Sequence, residues 1–305
     1  MAKWVFAFSG IESVWEDFAL DFCHRHEHVF QLLLEKASAY AGEDLTQGLC
    51  KTGQGQTSEL ANQLATFAYG LAVHELLIRN RVEPLAVAGF SLGVYAAVCA
   101  AGCVSVEDGL AMVVEADRLM RHAKPKETCG LAALVGLKED ELQALIPGDA
   151  LNRLVKANTL NETCHIFAGF KNDLEAFNTL AVKAGALTAN LLPVDIPYHH
   201  PYLLAGATQQ FRIFLQKLSW EPAMVPVIST IDQQVLSQPS ELIEFVAGNL
   251  SMPIHWQKVI EKFAAMGIDH LAECGPGLTL TRNGRFIAVP MHYVNVKNMQ
   301  RRLGW

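Results

Sequence analysis

No run of this chain is apolar for long enough to cross a bilayer, which takes about 20 residues, so a helical membrane span is not expected. Charge is scarce as well. Only 18% of the 305 residues are charged, and the 24 Lys and Arg are outnumbered by 31 Asp and Glu, a formal net charge of -7. That balance favours neither nucleic acid nor an anionic membrane surface as a partner. The seven cysteines are odd in number and scattered at 23, 50, 99, 103, 129, 164 and 274, without metal-ligand pairing, so reduced thiols in a cytoplasmic protein are expected. There is no internal repeat, low-complexity tract or long linker. A secretory signal is missing too: Met1–Phe8 has too short an apolar region and no cleavage pattern, and reads instead as a first buried strand.

What is present is a large core, with 51% hydrophobic residues. The length fits one large domain carrying a smaller one better than two equal halves. Strand 4–8 ends at Ser9-Gly10, and amphipathic patterns follow near 13–22 and 27–37. A long helix is expected over about 58–79, where Leu60, Leu64, Phe67, Leu71 and Leu76 keep helical spacing. Strand 85–88, helix 92–101 and a helix from Val104-Ser105 to about 122 come next. From about 127 to 195 the order strand 131–137, helix 138–145, strands 151–157 and 164–168, helix 171–184 and strand 187–193 is the βαββαβ pattern of a ferredoxin-like unit. Beyond it lie helix 201–217, strand 225–229, helices near 239–248 and 255–266, and strand 269–273. The expected fold is α/β: an α/β-hydrolase-like, mainly parallel sheet built from residues 1–126 and 196–305, with a ferredoxin-like small domain over 127–195 inserted into it.

The most informative stretch is Val87-Ala88-Gly89-Phe90-Ser91-Leu92-Gly93, a buried strand, a G-x-S-x-G turn and then an Ala-rich helix. That is the context of a nucleophile elbow: small residues at 89 and 93 let strand and helix approach, and the turn lifts the Ser91 hydroxyl above the sheet. The first helical N–H, that of Leu92, then faces any oxyanion formed there. A serine nucleophile needs a base within hydrogen-bond reach. Val194-Asp195-Ile196-Pro197-Tyr198-His199-His200-Pro201 offers two histidines in a loop where the chain leaves the small domain, and either can face a cleft or solvent.

In order and spacing, these motifs make the chain resemble the malonyl-CoA:acyl-carrier-protein acyltransferase family, which includes the acyltransferase domains of fatty-acid and polyketide synthases. The likeness runs through the opening strand and glycine turn, Gly89-Phe90-Ser91-Leu92-Gly93, Arg118-Leu119-Met120 and Ile166-Phe167-Ala168-Gly169. It continues through Ile196-Pro197-Tyr198-His199, Met252-Pro253-Ile254-His255-Trp256 and Glu273-Cys274-Gly275-Pro276-Gly277. The resemblance implies Ser91 as nucleophile and His199 as base, with no acidic third member; Asp195 is poorly placed for that role. It implies a main-chain carbonyl within Pro253–Trp256, assigned to His255, as the group that orients His199. It implies an oxyanion hole from the N–H groups of Leu92 and Ile11, the latter in Gly10-Ile11-Glu12-Ser13-Val14, where the family reads G-Q-G-S-Q. Phe90, Gln63, Ala116, Tyr198 and His200 are the expected acyl-pocket residues.

Family members that select malonyl carry an arginine on the helix after the elbow, and counting back from Arg118-Leu119-Met120 places Ala116 there. Arg118 lies about 200° around the helix and does not substitute for it. A malonyl carboxylate beside Ala116 is left unpaired, so a neutral acyl group, from acetyl upward in an enlarged apolar pocket, is the expected substrate unless His200 or Arg121 supplies the charge. The resemblance further implies acyl thioesters of coenzyme A or phosphopantetheine as substrates, an acyl carrier protein as partner, and no bound cofactor or metal. Three outcomes remain open: an acyltransferase, an acyl-thioester hydrolase that clears carrier proteins, and a non-catalytic carrier-protein docking module. The run Cys23-His24-Arg25-His26-Glu27-His28 is expected to be solvated rather than metal-binding, and the basic run 121–126 to be a solvated loop rather than a docking site.

Overall fold

A computed structural model describes residues 2–11, 15–46, 58–150 and 152–303 of the chain. In chain order these residues form β1 (Trp4–Phe8), α1 (Asp17–Arg25), α2 (Glu27–Ala41), α3 (Glu59–Arg79), β2 (Pro84–Gly89), α4 (Gly93–Ala100) and α5 (Val106–Ala123). Next come β3 (Cys129–Val135), α6 (Glu139–Ala144), β4 (Leu154–Asn161), β5 (Cys164–Phe170), α7 (Lys171–Lys183) and β6 (Thr188–Leu191). The chain closes with α8 (Ala205–Leu215), β7 (Val227–Ile228), β8 (Val235–Leu236), α9 (Pro239–Gly248), β9 (Ile254–His255), α10 (Trp256–Ala265), β10 (His270–Cys274), α11 (Thr279–Gly284), β11 (His292–Val294) and α12 (Met299–Leu303).

The first sheet runs β11-β10-β1-β2-β7-β8 and is parallel except at the β7–β8 hairpin. Its central strands read as apolar runs because both faces are covered. Alternation then sorts the side chains. Phe6, Phe8 and Val87 join a core with helices α2–α5, α8 and α9, while Val5, Ala7, Ala86 and Ala88 pack on Trp256, Val259, Ile260 and Phe263 of α10. Helix α3 starts where Ser58 accepts from Ala61 N–H, and α5 where Ser105 accepts from Asp108 N–H, the side-chain caps that such serines supply.

The second sheet has the order β6-β3-β5-β4-β9, and β3 to β6 pair antiparallel in the order of a βαββαβ unit. One face, with Ala132, Leu134, Leu154 and Phe167, packs on α6 and α7. The opposite face carries Leu131, Asn158, Leu160 and Ile166 and looks across a cleft at the elbow. The expected strand 151–157 runs instead from 154 to 161, with register shifts after Lys156 and Thr159. Strand β9 had no counterpart in the sequence reading: two residues that follow α9 add to β4 in parallel, Asn158 beside Ile254 and Thr159 beside His255, and so tie the two sheets together. A period of two cannot be read from two residues. The short α11 was missed as well; buried Glu273 builds it by accepting from Leu280 N–H and Thr281 N–H, both at 2.9 Å.

Close approach at the elbow is the tightest demand on sequence. A Cβ at Gly89 would stand 2.2 Å from Val94 N, and one at Gly93 2.2 Å from the Phe8 carbonyl oxygen. Gly206, on the exposed start of α8, would meet nothing within 4 Å. Gly93→Ala is therefore expected to lower the urea midpoint by the equivalent of about 3 kcal/mol, as overpacking against backbone does, whereas Gly206→Ala leaves it unchanged or slightly raised. Equal midpoints for the two variants would contradict this account of the elbow.

Candidate active site

Ser91 leaves β2 with φ +52° and hands the chain to α4 at once: Gly93 N–H donates to the Phe90 carbonyl at 2.9 Å and Val94 N–H to the Ser91 carbonyl at 3.1 Å. A non-glycine residue in the left-handed region is uncommon and needs surroundings that hold it there. One support comes from β1, whose Phe8 carbonyl accepts from Phe90 N–H at 2.9 Å. The other comes from Asn249, the residue that closes α9. It is buried, and its Nδ2 donates to the Ser91 carbonyl at 3.1 Å.

The same segment holds His199. This residue also has a positive φ, +61°, and its N–H donates to the Leu250 carbonyl at 3.2 Å. Its Nδ1 lies 3.2 Å from the Met252 carbonyl, and its Nε2 lies 2.9 Å from Ser91 Oγ. A carbonyl only accepts, so Nδ1 carries the ring proton and Nε2 presents its lone pair to the Ser91 hydroxyl. Burial, which disfavours the imidazolium, pulls the His199 pKa down to about 4, against the opposing hydrogen bonds to backbone.

The orienting carbonyl thus belongs to Met252, three residues before the expected His255. His255 sits in β9 and caps α10, where its own carbonyl faces along the helix. Asp195 points away from the site and pairs with Lys124. Arg118 lies outside as well, in an exposed ion pair with Glu115.

Two hollows meet at Ser91 and His199. The inner one is only about 50 Å³ and is lined by Ile11, Gln63, Leu92, Tyr95, Met120 and Tyr198 among others. The outer cleft, about 500 Å³, runs between the two sheets past Phe90, Asn158, Leu192 and Thr279. Leu92 and Ile11 both border Ser91, and neither N–H has an acceptor among the described residues. The rest of the expected first-loop signature, residues 12–14, lies outside the described residues.

Two expected pocket residues are not there. Ala116 is 1% exposed, packed into the core one turn before Met120, and borders neither hollow, so its small side chain does not enlarge the pocket. His200 is fully buried in the turn that follows His199, where its Nδ1 accepts from Leu203 N–H, and it too borders neither hollow. Phe90 stands in the outer cleft, edge-on to Trp256. Arg121 is held by both Asp117 and Glu59 and also lines neither hollow.

Sequence reasoning missed Asn249, Leu250, Met252, Glu59 and Asp117. The signal for the first three was the helix end at Asn249-Leu250-Ser251-Met252-Pro253, which leaves unpaired carbonyls available to a neighbour. Of the run 23–28, Cys23 faces the core, the His26 ring lies against Phe22, and His24 and His28 are exposed.

Comparison with known proteins gives a consistent picture. A family model described as acyl transferase domain matches residues 5–289. The malonyl CoA-acyl carrier protein transacylase of Escherichia coli K12 is 29% identical over 287 residues, covering 92% of this chain and 91% of that protein. Among solved structures, an acyl-carrier-protein S-malonyltransferase from Burkholderia pseudomallei superposes with a TM-score of 0.89 at 25% identity, covering 99% of this chain and 100% of the other. A malonyl-CoA:acyl carrier protein transacylase from Xanthomonas oryzae superposes with a TM-score of 0.88 at 26% identity, covering 100% and 97%.

The Asn249 amide gives a direct check on the geometry. One hydrogen bond of about 1 kcal/mol is worth about fivefold in rate, so Asn249→Ala is expected to slow labelling of Ser91 by a fluorophosphonate about fivefold with little change in melting temperature. Labelling at the wild-type rate would show that Asn249 does not hold the elbow.

Proposed function

The chain belongs to the acyl transferase domain family, and on that premise we propose that it moves an uncharged acyl group from a thioester to the thiol of an acyl carrier protein through an acyl-Ser91 intermediate. The observation that carries this reading is the 2.9 Å contact between Ser91 Oγ and His199 Nε2, with the proton of the ring fixed on the other nitrogen by Met252. Ser91 Oγ attacks the thioester carbonyl while Nε2 takes its proton. The N–H groups of Leu92 and Ile11 receive the oxyanion. Collapse breaks the C–S bond, the departing thiolate takes the proton from His199, and the acyl group stays on Ser91 as an ester. A second thiol, that of a carrier protein's phosphopantetheine, then repeats the steps in reverse. Coenzyme A or phosphopantetheine thioesters are the substrates, and these steps call on no bound cofactor.

The acyl carrier protein enters because the relatives named above act on it. Their malonyl substrate is not carried over: among the described residues no cation borders the inner pocket, and a buried carboxylate without one is costly. The inner pocket of about 50 Å³ has room for a short acyl group only, and a longer one would have to lie in the outer cleft, which also borders Ser91.

Intact-mass spectrometry with acetyl, hexanoyl and malonyl thioesters, with and without carrier protein, tests this reading. The expected result is a covalent acetyl adduct on wild type and none on Ser91→Ala, with the acetyl passing to the carrier. Release to water in the presence of free carrier thiol would make the protein a hydrolase instead. Efficient malonyl transfer would refute the assignment of a neutral substrate. The pH profile follows from His199: a base works in its neutral form, and burial has lowered its pKa to about 4, so the acylation rate is expected to rise through about pH 4 and stay level across neutrality. A midpoint near 6.5 would contradict it.

A further inference from the structure

Behind the inner pocket, five side chains form one hydrogen-bonded chain. Gln63 Nε2 donates to Asp117 Oδ1 at 3.1 Å, and Arg121 Nε donates to Asp117 Oδ2 at 2.8 Å. Arg121 Nη2 donates to Glu59 Oε2 at 2.8 Å, and Tyr198 Oη donates to Glu59 Oε1 at 2.6 Å. The two ends of the chain, Gln63 and Tyr198, line the inner pocket beside Ser91. Between them stand two carboxylates and one guanidinium. The only cation of the set is engaged by both acids and lies outside both hollows, along a surface groove past Cys129 and Leu131. The donors are committed as well: the Tyr198 hydroxyl proton to Glu59, and a Gln63 amide proton to Asp117.

We infer that Glu59 and Asp117 determine the acyl specificity of the Ser91 site, selecting uncharged acyl groups and rejecting those that end in a carboxylate. The inference rests on the acyl-serine reading and goes one step beyond it. An absent cation only withholds attraction, whereas these two acids act against the wrong substrate, which is how many sites obtain discrimination. They do so in two ways. Asp117 stands one hydrogen bond behind the inner-pocket wall, and Glu59, one hydrogen bond behind Tyr198, borders the outer cleft itself; from both places the charge repels an acyl carboxylate placed beside Ser91. Together they engage Arg121 and the Tyr198 hydroxyl, the cation and the hydroxyl donor of this side-chain chain, so that neither is free to pair with that carboxylate. Asp117 itself is 5% exposed, so its charge is poorly screened by solvent.

The test separates charge from size. Acetoacetyl and malonyl groups have the same heavy-atom skeleton and differ at the end in a methyl against a carboxylate oxygen. Wild-type protein is expected to load acetoacetyl onto Ser91 at least tenfold faster than malonyl, read by intact mass. In the Glu59→Gln/Asp117→Asn variant, Arg121 keeps its charge and loses both anionic partners, so malonyl loading is expected to rise at least tenfold while acetyl loading persists. Adding Arg121→Ala should take away the part of that gain owed to the released guanidinium and leave the part owed to relieved repulsion. Equal rates for the two donors in wild type would overturn the inference. So would refusal of both while acetyl loads, which makes size the filter. So would a folded double variant, checked by its melting transition, that discriminates as wild type does. If the double variant does not fold, the single variants Glu59→Gln and Asp117→Asn decide: each is expected to raise malonyl loading several-fold, and wild-type discrimination in both would overturn the inference. If no donor labels Ser91, the acyl-serine reading falls and takes this inference with it; acetyl loading without discrimination removes only the inference.

Discussion

Left-handed backbone at Ser91 and His199 is the constraint on which the site depends. Each conformation costs on the order of 1–3 kcal/mol on its own, and each is held by groups from distant parts of the sequence. For Ser91 these are β1, through the Phe8 carbonyl, and Asn249; for His199 they are the Leu250 and Met252 carbonyls. Three residues just beyond α9, Asn249, Leu250 and Met252, therefore hold both side chains. They set the 2.9 Å separation between hydroxyl and imidazole and also fix the tautomer that turns the Nε2 lone pair toward the hydroxyl. An acid in the usual third position has no place here, because the proton on Nδ1 already faces a backbone carbonyl.

Much of this was legible in the residues. The elbow announced itself because its glycines answer a steric demand that no other residue meets, and the large elements declared themselves by period. Helix 58–79 was expected from its leucines and is observed over 59–79, and the βαββαβ order from 127 onward appears in the second sheet. The misses share a cause. Strand β9 is two residues long and exists only because β4 offers an edge. The carbonyl that orients His199 carries no side-chain signature, so Met252 and His255 were indistinguishable until the backbone could be followed. Ala116 was assigned to the pocket by register and His200 as the neighbour of His199, and neither register nor adjacency tells which side of a helix or turn faces the hollow.

The pocket shows how local and long-range choices combine. Met120 and Tyr198 are among the residues that line its ~50 Å³, and the polar chain behind it joins α3, α5 and the His199 loop, three elements brought together only by the fold. Its two acids were plain in the sequence as Glu59 and Asp117, yet nothing there said that they share one arginine. The outer cleft is different in kind: it is broad, lies between the two sheets, and takes its lining from the face of the second sheet that α6 and α7 leave uncovered.

The central claim is that a backbone carbonyl, and no acid, makes His199 the base for Ser91. Proton–nitrogen NMR of the labelled histidine ring, titrated from pH 3 to 8, tests it most directly. The account predicts a neutral His199 with its proton on Nδ1 across neutrality, becoming an imidazolium only near pH 4. A proton on Nε2 at neutral pH, or a midpoint near the ordinary value of about 6.5, would contradict it.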